Sequence, residues 1–522
     1  MTRTGPRSFS RPVARVAVPL LLAVAVLQPG CGGFTRPNVL LVVIDTARAD
    51  RFSFDGYARD TSPEIASIAS EGAVYEQATT PAPWTTPAHA SLFTGLYPSA
   101  HGADSGHLWL DDERVTLAEA FRDDGYHTLG YIENPCLSKM FNFQQGFETY
   151  EEIWKKIPKA AGDMGAGLTN VLIDKWLSWR EGNAEARRQP FFVFINYVEP
   201  HLPYNPPEPE RYRFLSQPID MQAVDRLRAF KHPEEVRYIM GSVSLSAADL
   251  RILSDLYDGE IAYIDRRVGE AVDLLRRRGL LDDTVVAITG DHGEEIGEHH
   301  FLDHKMNVYE PLLRIPMVLR YPKAIRAGER IKDPVMLQDL YPTLLDLAGI
   351  RPPEAPGSSG GPAGPEARPL PGIRGLAPGA PRGAGAGGAA PDPLISEFAR
   401  PISFLDVMRE SGPGHDISGW DRALVGYRQG DEKLHWASDG RHRLFDLSRD
   451  PGEEHDLAPE RPDRVAVLAR AVETWLSRPG VRPPMGLRGS ASPIPPGGGG
   501  PPSAGGARPA APPIPGAVDD AR

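Results

Sequence analysis

The chain has 522 residues, a formal net charge of −12 at neutral pH and only two cysteines. An acidic chain lacks the basic face that phosphate-backbone contacts need, which argues against a nucleic-acid partner. Cys31 and Cys136 are too few for a disulfide framework, and the length suits two or three domains around a sizeable core.

Arg3, Arg7, Arg11 and Arg15 precede an apolar run, Val16 to Leu27, too short for a comfortable membrane span. Gly30 stands directly before Cys31, an order that resembles a bacterial lipoprotein signal in which Cys31 becomes the acylated first residue. Gln28 departs from the aliphatic or small residue usual there, and simple cleavage or an uncleaved anchor is the alternative. Residues 1–31 are therefore expected to be a signal segment, with a lipid anchor holding the protein to a membrane of the bacterial cell envelope, in the periplasm or at the outer membrane. Cys136 is left as a lone thiol, expected to be half-buried and inert.

After a polar spacer, Asn38–Ile44 is a continuous apolar run rich in β-branched residues, as in a strand buried on both faces of a parallel sheet. It delivers Asp45-Thr46 at its C-terminal end, where open α/β sheets place their ligands. Pro63 to Glu71 predicts a helix. In the stretch Ala82 to Pro98, Thr85 stands just ahead of Pro87, a residue suited to a first helical turn. A helix is predicted over Ala88–Phe93, ended by Gly95 and Pro98. A hydroxyl at such a start faces unpaired N–H groups and the positive end of the helix dipole, a seat for an anionic ester. An ordinary N-cap threonine is the plain alternative.

Val115–Asp124 predicts a helix and Tyr126–Ile132 a second strand, followed by a mostly helical, polar region over residues 150–189. Phe191–Tyr197 is a third buried strand, ending in Glu199-Pro200-His201-Leu202-Pro203-Tyr204. Ser246 to Arg278 predicts a long amphipathic helix with Ser246 as its N-cap. Thr284–Thr289 is a fourth strand and delivers Gly290-Asp291-His292-Gly293. Ile315–Leu319 is a fifth, and Leu337–Ala348 a helix closed by Gly349. Strands alternating with helices predict a doubly wound α/β domain over residues 37–350. Residues 351–393 are Pro/Gly/Ala-rich and predict a disordered insert. Residues 394–478 predict an α+β subdomain: strands at Leu394–Phe398, Ala423–Arg428, Lys433–Ala437 and Leu444–Leu447, then a helix at Asp463–Leu476. The tail over 479–522 is again Pro/Gly-rich and expected to be disordered.

Asp45, Asp291 with His292, and the Thr85 loop all sit at strand or helix ends of that domain. Two carboxylates with one imidazole suit a divalent cation: Mn²⁺, Zn²⁺, Mg²⁺ or Ca²⁺. A lone Asp-His pair is more often structural, but Asp291-His292-Gly293-Glu294-Glu295-Ile296-Gly297-Glu298-His299-His300 after a buried strand is far more specific. With Pro37 to Asp50, the Thr85 stretch, Glu199 to Tyr204, His304-Lys305, Tyr309-Glu310 and Phe445 to Pro451, the chain resembles the sulfatase family of the alkaline phosphatase superfamily.

The resemblance implies a doubly wound mixed sheet flanked by helices and a small C-terminal antiparallel sheet with its helix. It implies a metal-dependent hydrolase with Thr85 as nucleophile, and Asp45, Asp291, His292 and the Thr85 oxygen as ligands of one divalent ion. His201 and Lys305 correspond to residues that bind ester oxygens and protonate the leaving group. His89 and His304 are expected beside substrate in the same pocket, and Glu298, His299 and His300 in solvated or supporting positions. Three departures stand out. Family members carry cysteine or serine, converted to formylglycine, in a Cys-x-Pro-x-Arg pattern, where this chain has Thr85-Thr86-Pro87-Ala88-His89. A Gly-Lys pair is missing after Gly125-Tyr126-His127-Thr128, and Thr46 replaces a second metal-binding aspartate.

A formylglycine hydrate expels sulfate by collapsing to an aldehyde, which a threonine with one hydroxyl cannot do. Attack by a Thr85 alkoxide on phosphorus meets no such obstacle. The expected substrate is thus a small-molecule, glycan or lipid-head-group ester of phosphate or sulfate, with phosphoester hydrolysis or phosphoryl transfer favoured. A true sulfuric ester hydrolase is the alternative, and a catalytically inactive, tethered binding protein the second.

Overall fold

The structure is a computed structural model and describes residues 36–157, 162–351, 367–373 and 392–478, with the single residues 1, 2, 5 and 481. The expected lipid-anchor site at Cys31, most of the insert and nearly all of the tail lie outside the described residues.

The larger, N-terminal region opens with β1 (Asn38–Ile44), α1 (Pro63–Ser70), β2 (Ala73–Tyr75), α2 (Thr85–Thr94) and α3 (Leu117–Asp123). It continues with β3 (His127–Ile132), β4 (Thr149–Glu152), α4 (Ala166–Gly182) and β5 (Phe191–Tyr197). The long α5 (Ala247–Arg277) leads to β6 (Thr284–Gly290), β7 (Met317–Arg320), β8 (Glu329–Ile331) and α6 (Leu340–Ala348). These strands form one 8-stranded sheet in the order β8-β2-β7-β6-β1-β5-β3-β4. Only β7 runs antiparallel to its neighbours, so the sheet is mixed.

The continuous apolar run of β1 is explained by burial on both faces. Leu40, Val42 and Ile44 join a core with α1, α4 and α5, while Val39, Leu41 and Val43 join a second core with α2, α3 and α6. Successive strand side chains point to opposite faces, so a central strand must be apolar at every position. In-register pairing of Ile44 with Tyr197 and Gly290, and of Ile132 with Asn196, brings the C-terminal ends of β1, β5, β6 and β3 to one level. The site lies there.

α5 starts with a capping box: the Ser246 hydroxyl accepts from Asp249 N–H, and the Asp249 carboxylate accepts from Ser246 N–H. Its Asp265 carboxylate accepts from the first N–H groups of α1, Glu64 at 3.0 Å and Ile65 at 2.8 Å.

Two expectations need correction and a third is narrowed. The described part of residues 150–189 is mostly helical as expected, but Thr149–Glu152 is an edge strand and α4 starts only at Ala166. The short Thr-Tyr-Glu-Glu run carries too little apolar signal to announce a strand. Part of the insert is packed: Leu370 is buried, its N–H meets the Thr343 hydroxyl at 2.8 Å, and Ile373 bridges to Ile325. In the C-terminal region, an additional helix, α7 (Ile402–Ser411), follows β9 (Leu394–Phe398).

β10 (Leu424–Gln429), β11 (Glu432–Ala437) and β12 (Arg443–Asp446) complete an antiparallel 4-stranded sheet with β9. The closing helix α8 (Pro462–Leu476) covers it through Leu468, Val472, Trp475 and Leu476. Glu397 of β9 joins the two regions, accepting from Ser99 N–H and Oγ at 2.7 Å and from Trp475 Nε1 at 2.8 Å.

Candidate active site

Helix α2 begins at Thr85 itself, with Trp84 as its N-cap, three residues before the predicted start. Pro87 is the third residue of the helix, where its missing N–H is one of the unpaired first-turn donors in any case. Thr85 is therefore the first helical residue, not the cap, and its hydroxyl is free for chemistry. Every residue of α2 is buried, which fixes that hydroxyl in place.

Asp45 follows β1, Asp291 and His292 follow β6, and one donor atom from each lies within 4.8 Å of the others. Thr85 Oγ1 is 3.3 Å from His292 Nε2. The His292 Nδ1–H donates to the Gly293 carbonyl at 2.9 Å, so Nε2 turns a lone pair toward the site. Asp45, Asp291 and His292 are wholly buried, yet Asp45 Oδ1 and Asp291 Oδ2 have no hydrogen-bond partner among the described residues. Buried carboxylate oxygens are seldom left unpaired. Such orphans beside an imidazole lone pair fit a divalent cation, which Asp45, Asp291, His292 and Thr85 would hold.

Electrostatics agree with that assignment. Burial, together with the neighbouring Asp291, raises the Asp45 carboxyl above its ordinary range, with no positive charge adequate to offset it. Burial also opposes ionisation of Asp291, but the adjacent His292, its ring beside the carboxylate and its N–H donating to Oδ1 at 2.8 Å, overcomes it and holds the group at about 2. The backbone supports the same geometry. Thr46 adopts a left-handed φ of 52°, its N–H donates to Asp291 Oδ1, and the Tyr257 hydroxyl of α5 pins the turn by donating to the Thr46 carbonyl at 2.7 Å. A side chain at Gly293 would collide with the Pro311 carbonyl, so the chain can pass there only as glycine.

The other expected residues fall in distinct places. His89 Nδ1 is 3.0 Å from the Thr85 carbonyl and 3.4 Å from Asp291 Oδ2, and burial keeps the ring neutral by lowering its pKa. His201 anchors its Nδ1 on the Leu202 carbonyl at 2.6 Å, and its ring meets His304 edge-on at 5.0 Å between centroids. The His304 ring packs on His292 at 4.4 Å. Lys305 turns to Asp303, Nζ to Oδ2 at 2.7 Å; burial opposes its charge, but Asp303 raises its pKa nonetheless. His304, not Lys305, is thus the residue of this block that touches the ring of a candidate ligand. Glu298 pairs with Arg48 at 2.7 Å, His299 stacks on Tyr309 and His300 lies against Tyr238, so these three stand apart from Thr85.

Asn134 was not anticipated from the sequence. Its Nδ2 donates to Asp45 Oδ2 at 2.6 Å and reaches Thr85 Oγ1 at 3.3 Å. It sits just past the end of β3, level with the other strand ends, and that position was the available signal. It occupies the region where the family pattern has its lysine.

Comparison with known proteins bears on this geometry. The family model described as Sulfatase matches residues 37–350. The chain belongs to the sulfatase family. It is 29% identical over 350 residues to "Uncharacterized sulfatase YidJ" of Escherichia coli, spanning 61% of this chain and 69% of that protein. It is 28% identical over 399 residues to "Multifunctional alkaline phosphatase superfamily protein PehA" of Trinickia caryophylli, spanning 62% and 75%. Its fold is that of a phosphonate monoester hydrolase from Agrobacterium radiobacter, with a TM-score of 0.62 at 23% identity, covering 85% of this chain and 95% of that one. A 2-O GAG sulfatase has the same fold, at a TM-score of 0.62 and 18% identity, covering 85% and 92%. The chain is an ester hydrolase of the alkaline phosphatase superfamily, and Asp45, Asp291 and His292 form its candidate metal-ligand group.

Proposed function

We propose that this sulfatase-family hydrolase acts on phosphate-type esters of small molecules or glycans, with unmodified Thr85 as nucleophile. The observation that carries this reading is a single-hydroxyl residue at the first position of α2, its Oγ1 3.3 Å from His292 Nε2 and within reach of the Asn134 amide. A divalent cation bound by this donor set supplies positive charge that favours an ionised hydroxyl and stabilises the charge developing on phosphorus-bound oxygen.

The chain's own residues do the rest. The N-terminus of α2 adds its dipole to the same point. Asn134 orients the Thr85 oxygen for attack on phosphorus. As the Thr85 oxygen–phosphorus bond forms, the bond from phosphorus to the ester oxygen breaks, and that oxygen takes a proton from His201. Water or an acceptor alcohol then attacks phosphorus and gives its proton back to His201, and the bond to Thr85 breaks, returning the Thr85 oxygen to the ionised form in which it began. Structural likeness to a phosphonate monoester hydrolase supports phosphorus as the reacting centre.

A second reading, sulfate-ester hydrolysis, is favoured by relatives such as the "Arylsulfatase" of Clostridium perfringens, 25% identical over 378 residues. A panel of aryl sulfate, phosphate monoester, phosphodiester and phosphonate substrates separates the two. The first reading expects phosphorus substrates to be faster and mass spectrometry of quenched enzyme to find phosphate on Thr85. Turnover of sulfate esters alone would overturn it. We place the protein at the bacterial envelope through acylated Cys31, and Cys31→Ser is then expected to release it into the soluble fraction.

A further inference from the structure

We propose that Glu133 and Glu199 share a proton and act as a pair of positioning residues, fastening the loop that bears His201 to the strand end that bears Asn134. Glu133 follows β3 and directly precedes Asn134, while Glu199 lies just past β5 and two residues before His201. Both side chains are buried, at 2% and 1% exposure. Glu133 Oε1 accepts from the Thr169 hydroxyl of α4 at 2.6 Å, and its Oε2 accepts from Val198 N–H, beside Glu199, at 3.1 Å. Glu199 Oε1 accepts from Met164 N–H at 2.9 Å. The next residue, Gly165, passes so close that a Cβ on it would stand 3.3 Å from the Glu133 carboxyl carbon. The two carboxyls therefore crowd the same stretch of backbone at the start of α4, within hydrogen-bond reach of each other.

Glu199 Oε2 has no N–H or hydroxyl donor among the described residues. A contact between two carboxyl oxygens is a hydrogen bond only when one of them carries a hydrogen, and a buried oxygen left without one is costly. Among the described residues, the surrounding groups offer no substitute. Asp163, ahead of α4, and Glu260 of α5 add further carboxyls. Arg267 of α5 is taken by Glu270 at 2.8 Å and by the Tyr263 hydroxyl at 2.9 Å. The Tyr263 hydroxyl donates to Asp163, and the Tyr197 hydroxyl to Asn170. Two like charges in contact without water cannot both persist. Burial accordingly raises both carboxyls, Glu199 to about 7 and Glu133 well above its ordinary value with Glu199 as the next cause, so a proton stays with the pair at neutral pH.

Held in this way, the turn leaving β5 is fixed to the end of β3 through Val198 N–H on Glu133. Glu260 fastens the far side of the loop by accepting from Asn205 N–H at 2.7 Å. His201 hangs between those two fastenings, its N–H on the Val198 carbonyl at 2.9 Å. Both carboxyls act through His201, so the inference rests on the reading of His201 as donor of the leaving-group proton. It is independent of whether phosphate or sulfate is the substrate.

The test compares aryl esters of phenol with those of dinitrophenol, which leaves without needing a proton. Glu199→Ala and the shorter Glu199→Asp should cut kcat/KM by roughly 100-fold on the phenyl ester and by less than about threefold on the dinitrophenyl ester, with bound metal unchanged. Glu199→Gln keeps a hydrogen between the two side chains and should restore most of the phenyl-ester rate. His201→Ala should show the same leaving-group pattern as Glu199→Asp. In the infrared at about pH 8, above the ordinary carboxyl range, Glu133→Gln should lose the protonated-carboxyl absorption of one group. Equal losses of Glu199→Asp on both esters, no loss on either, or a Glu199→Gln variant no faster than Glu199→Asp would overturn the positioning role. An unchanged infrared absorption would overturn the shared proton. Equal losses of His201→Ala on both esters would overturn the reading of His201 itself, a failure told apart from that of the pair because the infrared result does not depend on it.

Discussion

At the scale of single residues, the site depends on which oxygens stay unpaired and which side chains hold the paired ones. Thr85→Ala removes the oxygen proposed to attack, and turnover is expected to fall by several orders of magnitude while bound metal persists through Asp45, Asp291 and His292. Thr85→Ser should keep part of the activity, because the oxygen remains at the start of α2. Steady-state rates with metal analysis check both. Asn134 supports the oxygens of Asp45 and Thr85 from behind. Removing a partner of that kind usually costs 10–100-fold in metal affinity or activity. Asn134→Ala is expected within that range, with part of the loss recovered by raising the metal concentration; a wild-type rate at all metal concentrations would show the amide to be idle.

At the scale of elements, the N-terminus of α1 gives a pH signature. Asp265 of α5 accepts from two of its N–H groups, but burial dominates and pushes the carboxyl up to about 7. Its pKa is higher folded than unfolded, so the folded state holds a proton that the unfolded chain has lost between about pH 4 and 7. Stability from this group is therefore full below about pH 4 and is lost as pH rises through about 7. The difference amounts to about 4 kcal/mol at about 1.4 kcal/mol per unit. Asp265→Asn should flatten the melting temperature between those pH values relative to wild type, and an unchanged slope would assign it to other carboxyls. The packed part of the insert makes a second case. Leu370 is 2% exposed, so Leu370→Ala is expected to cost about 3 kcal/mol in denaturant unfolding. A stretch without structure would show no effect.

At the scale of the whole molecule, the C-terminal sheet and the catalytic sheet share a boundary and are expected to unfold together. Trp475 donates to Glu397 and meets the Tyr97 ring edge-on at 4.8 Å, while Trp84, next to Thr85, packs with Val308, Leu313, Phe398, Leu424 and Ala437. Lys433 adds ion pairs to Glu310 and Glu453 at 2.7 and 2.9 Å. Calorimetry should find one transition in wild type, and Trp475→Ala should lower it by about 4 kcal/mol without splitting it. Two separate transitions in the wild type would show that this boundary carries little energy.

The sequence by itself determined the buried strands β1, β5 and β6, because a strand covered on both faces has to be apolar throughout, and it determined the long helix α5 through its amphipathic period and its Ser246 cap. It also marked Asp45, Thr85, Asp291 and His292, since strand ends and helix starts are legible as places where an apolar run meets a polar residue. Tertiary structure alone decided what those ends meet. Asn134, Tyr257 and Asp265 act across chain separations of 49 to 211 residues, and no local pattern encodes a partner that far away. The same holds for Lys305 turning to Asp303 while its neighbour His304 faces His292. Adjacent residues in a tight loop point in different directions, and only the packing around the loop chooses which partner each one meets.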